Sequence, residues 1–242
     1  MRKYILLILF FNSFLLFAQE NNYFIYKVFK TSKSTIQDNK KLDGLIGRDN
    51  DTINYELFFD QSRALFTPVY KLNNSQEFQI DLNELFIKTQ GSFYYDYDKK
   101  IVENQKITLG SKYVITKNFD DIQWEISDET DTIQNFICKK AILKIKEFSF
   151  KEKERDYIIS VWFTDKFKHN IAPFGLVGLN GLIVKVDFNG IEQVLLDKME
   201  AKEKIKKIEP FKDGKKISQS EHDTLIKNYL EKIKERRESL LN

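Results

Sequence analysis

Cysteine, proline, glycine and histidine are all scarce in this chain. A single Cys in 242 residues excludes a disulfide scaffold and a multi-Cys metal site. Nine Gly and three Pro make about 5% of the chain against a usual ~12%, which excludes collagen-like and flexible low-complexity polymers. The two His residues, His169 and His222, lack the i, i+4 partner of a zinc-binding helix. Charge of one sign is not in excess either. The formal net charge is +3, and without Arg2 and Lys3 it falls to +1, which gives no support for a nucleic-acid partner. Apolar residues at 42% are enough to bury a core and argue against wholesale disorder.

The chain begins with a targeting pattern. Arg2 and Lys3 precede an apolar stretch from Tyr4 to Phe17, broken only by Asn12 and Ser13, and Ala18-Gln19-Glu20 follow. A positive start, an apolar run and a small residue at the break are the parts of a secretory signal peptide. The expected cleavage is after Ala18, although Leu16 is larger than the usual residue at its position. As a helix the run would span about 21 Å, short of the ~30 Å hydrocarbon core of a bilayer. No later run is long enough to span a membrane, so the expected product is periplasmic or secreted.

Beyond this segment, β-branched and aromatic residues alternate with polar ones in stretch after stretch. Strands are expected over 23–30, 52–60, 62–66, 91–97, 99–103, 113–117, 122–126, 134–147, 155–164, 182–188 and 194–201. Spacings near ten residues with turn signals between them point to an antiparallel β architecture and not to alternating βαβ units. Residues 75–88 carry Phe78, Leu82, Leu85 and Phe86 at helix-like spacing, readable as a short helix or a loop. Near the C-terminus, Ser220 with Asp223 suggests a capping box. Leu225, Ile226, Tyr229, Leu230 and Ile233 then form one face of an amphipathic helix. Three segments are therefore expected: a signal peptide at 1–18, a β domain at 19–217, and a helical segment at 218–242.

One segment carries a resemblance. Ser160-Val161-Trp162-Phe163-Thr164 is followed by Ala172-Pro173-Phe174-Gly175 and then by Gly178-Leu179-Asn180-Gly181-Leu182-Ile183. Upstream lies Cys138-Lys139-Lys140-Ala141. This order resembles the GLPGLI family, secreted or envelope proteins of the Bacteroidetes whose role is unknown. Five of the six signature positions match, and Asn180 replaces the family's Pro. The family is in turn similar to the N-terminal bowl-shaped domain of a bacterial glycan amidase. The resemblance implies a mainly β fold: a curved antiparallel sheet, bowl-like or partly open as a barrel, with the C-terminal helix beside it. The amidase's catalytic unit would need further domains, so its activity is not carried over.

Pro favours the first central position of type I and II turns, and Asn-Gly favours tight turns including type I′. Leu179-Asn180-Gly181-Leu182 is therefore expected to reverse the chain with both Leu side chains turned to an apolar layer. No residue of the signature has acid–base or nucleophilic capacity, so its expected role is architectural.

Candidate chemistry is sparse. His169 lies in a loop with Asp165, Lys166 and Lys168; it could pair with Ser160 or Thr164, but a Gly-x-Ser-x-Gly elbow is missing. His222 is expected at the surface near a helix start. Cys138 reads as a buried thiol, or as a reactive or intermolecular one. Acidic clusters at Asp120, Asp121, Glu125, Asp128, Glu129 and Asp131, and at Asp43, Asp49 and Asp51, lack the Ca²⁺-loop spacing and read as solvated turns. In 91–97, Phe93, Tyr95 and Tyr97 share one face and Tyr94 the other. These rings are core, or one set forms a binding platform.

The expected binding surface is thus Tyr95, Tyr97, Trp124 and His169. No residue is assigned a catalytic, cofactor-binding or metal-binding role. The expectation is an exported, non-enzymatic envelope module that binds a partner protein, peptide or hydrophobic ligand, with an outer-membrane or secreted protein as the partner. The alternative is a periplasmic or secreted hydrolase acting on peptide or glycan.

Overall fold

In a computed structural model, the described residues are 22–30, 52–70, 82–147, 155–203 and 205–240. The signal segment, the Asp43–Asp49–Asp51 cluster and the first half of the 75–88 segment lie outside them.

Twelve strands form one sheet. They are β1 (Tyr23–Lys30), β2 (Ile53–Phe59), β3 (Arg63–Pro68), β4 (Ser92–Asp96), β5 (Ile101–Thr108), β6 (Ser111–Asn118), β7 (Glu125–Ile133), β8 (Phe136–Glu147), β9 (Arg155–Thr164), β10 (Leu182–Phe188), β11 (Glu192–Glu200) and β12 (Lys215–Ser218). Helix α1 spans Leu82–Gln90 and α2 spans Gln219–Ser239. The spatial order is β12-β6-β5-β4-β3-β2-β1-β11-β10-β9-β8-β7. Two antiparallel meanders, β1 to β6 and β7 to β11, are joined where β1 pairs with β11.

That order forces the sheet to curl. Strands β6 and β7 lie ten steps apart in the sheet, about 48 Å if it were flat at ~4.8 Å per strand. Only residues 119–124 connect them, a link that reaches at most about 25 Å. The two edges must therefore approach one another, and bulges in β1 at Ile25/Tyr26 and in β10 at Ile183/Lys185 supply bends of the kind that curve a sheet. The sheet stays open: among the described residues β7 and β12 are its two edges.

Alternation sends Phe24, Tyr26 and Val28 of β1 into the main inner core and Tyr23 and Ile25 to a small outer cluster. In β4, Phe93 and Tyr95 face inward and Tyr94 outward. The inner face is filled by the β9–β10 loop, whose Ile171, Ala172, Phe174, Leu176, Val177 and Leu179 are all buried. The outer cluster, with Phe58, Leu65 and Tyr94, is covered by Ile208 and flanked by Ile205 and Phe211. The chain between β11 and β12 thus crosses the outer face and delivers β12 parallel to β6. Among the described strands this is the one parallel pair, because parallel neighbours need such a crossover.

Several boundaries differ from the sequence reading. β5 runs to Thr108, past Glu103-Asn104-Gln105-Lys106, because pairing with β4 and β6 extends a run that lacks apolar alternation. The strand expected over 122–126 is instead Glu125–Ile133. Asp128, Glu129 and Asp131 therefore sit on an edge strand and not in turns, although solvated as expected. Charged edge strands are a common protection against edge-to-edge association. The cap of α2 is Ser218, not Ser220: its hydroxyl accepts from Glu221 N at 3.2 Å, and Glu221 Oε2 accepts from Ser218 N at 2.7 Å. His222 is buried, contrary to the surface expectation, because this earlier start turns it toward Thr108 on β5. From Lys234 to Leu240 the helix is exposed throughout.

Candidate functional site

The β9–β10 loop is seated by one ring and fastened by several. Phe174 and Gly175 both adopt positive φ, +51° and +67°, which favours Gly at the second position and carries a cost at Phe174. The turn presses the Phe174 ring against Tyr55 and Phe66 at 4.9 Å, Phe188 at 5.8 Å and Phe93 at 5.9 Å. Around this anchor, aromatic side chains with polar tips hold the loop backbone. Tyr95 Oη donates to Ala172 O at 2.7 Å and accepts from Gly175 N at 2.9 Å. Tyr97 Oη donates to Asn170 O at 2.7 Å, and Trp124 Nε1 to Val177 O at 2.8 Å. Tyr26 Oη donates to Ile183 O at 2.8 Å. Burial raises the Tyr26, Tyr95 and Tyr97 phenols well above their ordinary range, so these groups donate as neutral hydroxyls.

The signature lies at the end of this loop. Leu179, Gly181, Leu182 and Ile183 are buried, while Gly178 and Asn180 are exposed. Ile171 N donates to Gly181 O and Ile183 N to Ile171 O, both at 2.9 Å, closing a short parallel bridge. Gly181 has φ +147°, and a Cβ there would meet the Thr164 carbonyl. Asn180 is not among the positive-φ residues, so the turn is not type I′ and its φ has the sign that Pro also adopts.

Of the expected binding surface, Tyr95 is a correction. It is fully buried, because inward alternation on β4 and its two hydrogen bonds fix it beneath the loop. Tyr97, Trp124 and His169 are half-buried. Tyr97 and His169 come together, both against Phe59, at 5.8 and 5.1 Å between ring centroids. They line a groove of about 540 Å³ with Lys100, Phe119, Gln123 and Asn180. Trp124 is outside this lining; its ring stands beside Gly178.

Asn170, Lys168 and Asp120 also line the groove and were not singled out as site residues from sequence. Asn170 Oδ1 is buried and has no hydrogen-bond partner. Cys138 is buried, and burial pushes its thiol pKa up. Among the described residues, no group of three His, Cys, Asp or Glu side chains is placed to hold a metal ion. No helix among them is long and apolar enough to cross a membrane.

No family model matches the chain, and no curated protein does. Among solved structures the fold is similar to PNGF-II. In its C2 crystal form the TM-score is 0.51 at 14% identity, over 86% of this chain and 33% of that one. The P21 form gives 0.49 at the same identity and coverage. The chain therefore spans about a third of the length of the structures it matches, and the likeness at this identity is one of fold.

Proposed function

We propose that the chain is an exported, non-catalytic envelope module of the GLPGLI type, whose groove binds a peptide segment of an outer-membrane or secreted partner. The observation that carries this reading is the unmet acceptor in an aromatic groove. Asn170 Oδ1 is buried without a partner, and the rings of Tyr97, Phe119 and His169 line the same groove. Buried polar atoms normally have partners. A peptide offers backbone N–H donors for such an acceptor and apolar side chains for such rings.

The likeness of fold to the glycan amidase PNGF-II supports a bowl-shaped module of that kind and leaves its chemistry with the larger protein. The placement of the signature supports the same reading, since its buried residues close the loop and offer no acid, base or nucleophile. Cleavage after Ala18 and residence in the periplasm or outside the cell belong to this proposal.

The test is site-specific photo-crosslinking in the native host, with a photoreactive residue at Gln123 or Asn180 in the groove, or at Lys227 on α2. The expected result is one envelope or secreted protein captured from both groove positions and not from Lys227. No capture from the groove, or the same capture from all three positions, would overturn the proposal.

A further inference from the structure

A second cavity, of about 100 Å³, lies on the inner side of the sheet between β4, β5 and β6 and the two helices. The register defines its walls. Phe93 pairs with Asn104, Asn104 with Ile115, Val102 with Lys117 and Lys106 with Tyr113, so these side chains share one face. Asn104 and Ile115 form the middle, with Lys106 toward one end and Lys117 toward the other. Their backbone positions are offset by about 14 Å along the strands at ~3.4 Å per residue, within reach of two long side chains that both line the cavity. Gln90 of α1 and Gln219 of α2 complete it.

Both lysines are without a carboxylate partner among the described residues. The contrast with the surface is direct: Lys112, Lys139, Lys144 and Lys146, all well exposed, each contact a carboxylate within 2.8 Å. At Lys117, burial is the leading cause that lowers the ammonium to about 8, with Lys106 adding repulsion and Asp121 opposing. Lys106 is also lowered by burial, against the pull of Asp223. Asn104 Nδ2 donates to Gln90 O at 2.9 Å, while its Oδ1 is buried with no partner. The Lys117 Nζ lies 3.3 Å from where a Cβ on Gly175 would stand, so any larger residue there would crowd it.

We infer that this cavity is a binding site for a small oxyanion, a carboxylate, phosphate or sulfate group, held between Lys106 and Lys117. An oxyanion supplies charge-assisted hydrogen bonds to both ammonium groups. A hydroxyl or N–H beside the acidic group would satisfy Asn104 Oδ1. The volume takes one such group, free or at the end of a larger ligand. The site is separate from the peptide groove, with which it shares no lining residue.

The test uses the purified chain with acetate, phosphate and sulfate as probes, at ionic strength held constant with sodium chloride. Binding is followed by calorimetry and by the lysine Nζ resonances. Saturable binding of at least one probe is expected, with the preference among the three separating a carboxylate site from a phosphate or sulfate site. Lys106→Met and Lys117→Met are each expected to weaken binding at least tenfold, and Lys112→Met to leave it unchanged. Asn104→Asp keeps the shape and places a carboxylate between the lysines; it is expected to abolish binding while the fold is retained by circular dichroism. No saturable binding of any probe, or undiminished binding in the Asn104→Asp, Lys106→Met and Lys117→Met variants, overturns the inference.

Discussion

The Trp124 indole donates to the Val177 carbonyl at 2.8 Å, and this single bond ties the entrance of the outermost strand β7 to the loop that fills the bowl. Together with Tyr97 and Tyr95 it makes a row of donors along that loop, which Tyr26 continues to Ile183 at the start of β10. Aromatic rings that read in sequence as a ligand platform act chiefly as fasteners, and of Tyr95, Tyr97 and Trp124 only Tyr97 also lines the groove.

Loss of a fastener should cost stability. Tyr95→Phe strands the Ala172 carbonyl and the Gly175 amide together in the core, an expected loss of ~1–3 kcal/mol. Trp124→Phe removes one bond at a less buried position, and the expected loss is about 1 kcal/mol. Urea unfolding should show lowered midpoints with an unchanged slope. Midpoints equal to the parent's would mean that these bonds do not hold the loop.

The signature turn separates backbone demands from side-chain demands. Asn180→Pro restores the residue that the resembled family carries, and no described hydrogen bond uses the Asn180 amide. The expected change is neutral or a gain of ~0.4–1 kcal/mol from a stiffer unfolded chain. Gly181→Ala drives a Cβ into the Thr164 carbonyl and is expected to lower the thermal midpoint by several degrees. The pair is compared by thermal melts at one pH, and equal effects would sink the assignment of the turn.

His222 gives the fold an acid-side weakness. Its Nε2 lies 3.2 Å from Thr108 Oγ1, and Nδ1 lies 3.7 Å from Asp223. Burial, then the nearby Lys106, lowers its pKa below the ordinary 6.5, with Asp223 opposing. A group whose folded pKa is depressed contributes stability above its unfolded pKa and loses it as pH falls through the folded value. Stability should therefore decline as pH drops below about 6.5, and His222→Gln should flatten that part of the profile. Chemical denaturation at a series of pH values from 7.5 to 4.5 reads it; parallel profiles would count against the buried neutral imidazole.

Cys138 is expected to be inert in the folded protein. Its thiol is buried and its pKa raised, so little thiolate is present or accessible near neutral pH. Alkylation by iodoacetamide at pH 8 should be slow in buffer and complete in 6 M guanidinium, as followed by mass. Rapid modification in buffer would restore the reactive-thiol reading.

How much was legible follows physical lines. β1, β9 and β10 have the bounds read from the sequence, because their alternation of apolar and polar residues directly reports one buried face. β5 was cut short at Glu103 and β12 was missed, since strand pairing imposed from outside leaves no mark on Asn104-Gln105-Lys106 or Lys215-Lys216-Ile217. The burial of Leu179 and Leu182 was legible from the turn expected between them. The partners of Tyr95, Tyr97 and Trp124 were not, because Ala172, Asn170 and Val177 lie 53 to 77 residues away. Lys106 and Lys117 left a faint signal: both sit at inward positions of their strands, where an alternating pattern would place apolar residues.

The order of the strands also sets when the fold can be completed. β1 sits in the middle of the sheet, yet Asn22 at its start is bonded to Lys202, 180 residues away. A chain made from its N-terminus onward holds β1 paired on one side by β2, with the other side bare until β11 has been delivered. Contacts at such separation are slow to form, and a bare strand edge recruits other chains. The central seam between the two meanders can thus close only once β11 has been made, and until it does the half-made sheet is open to mispairing along β1.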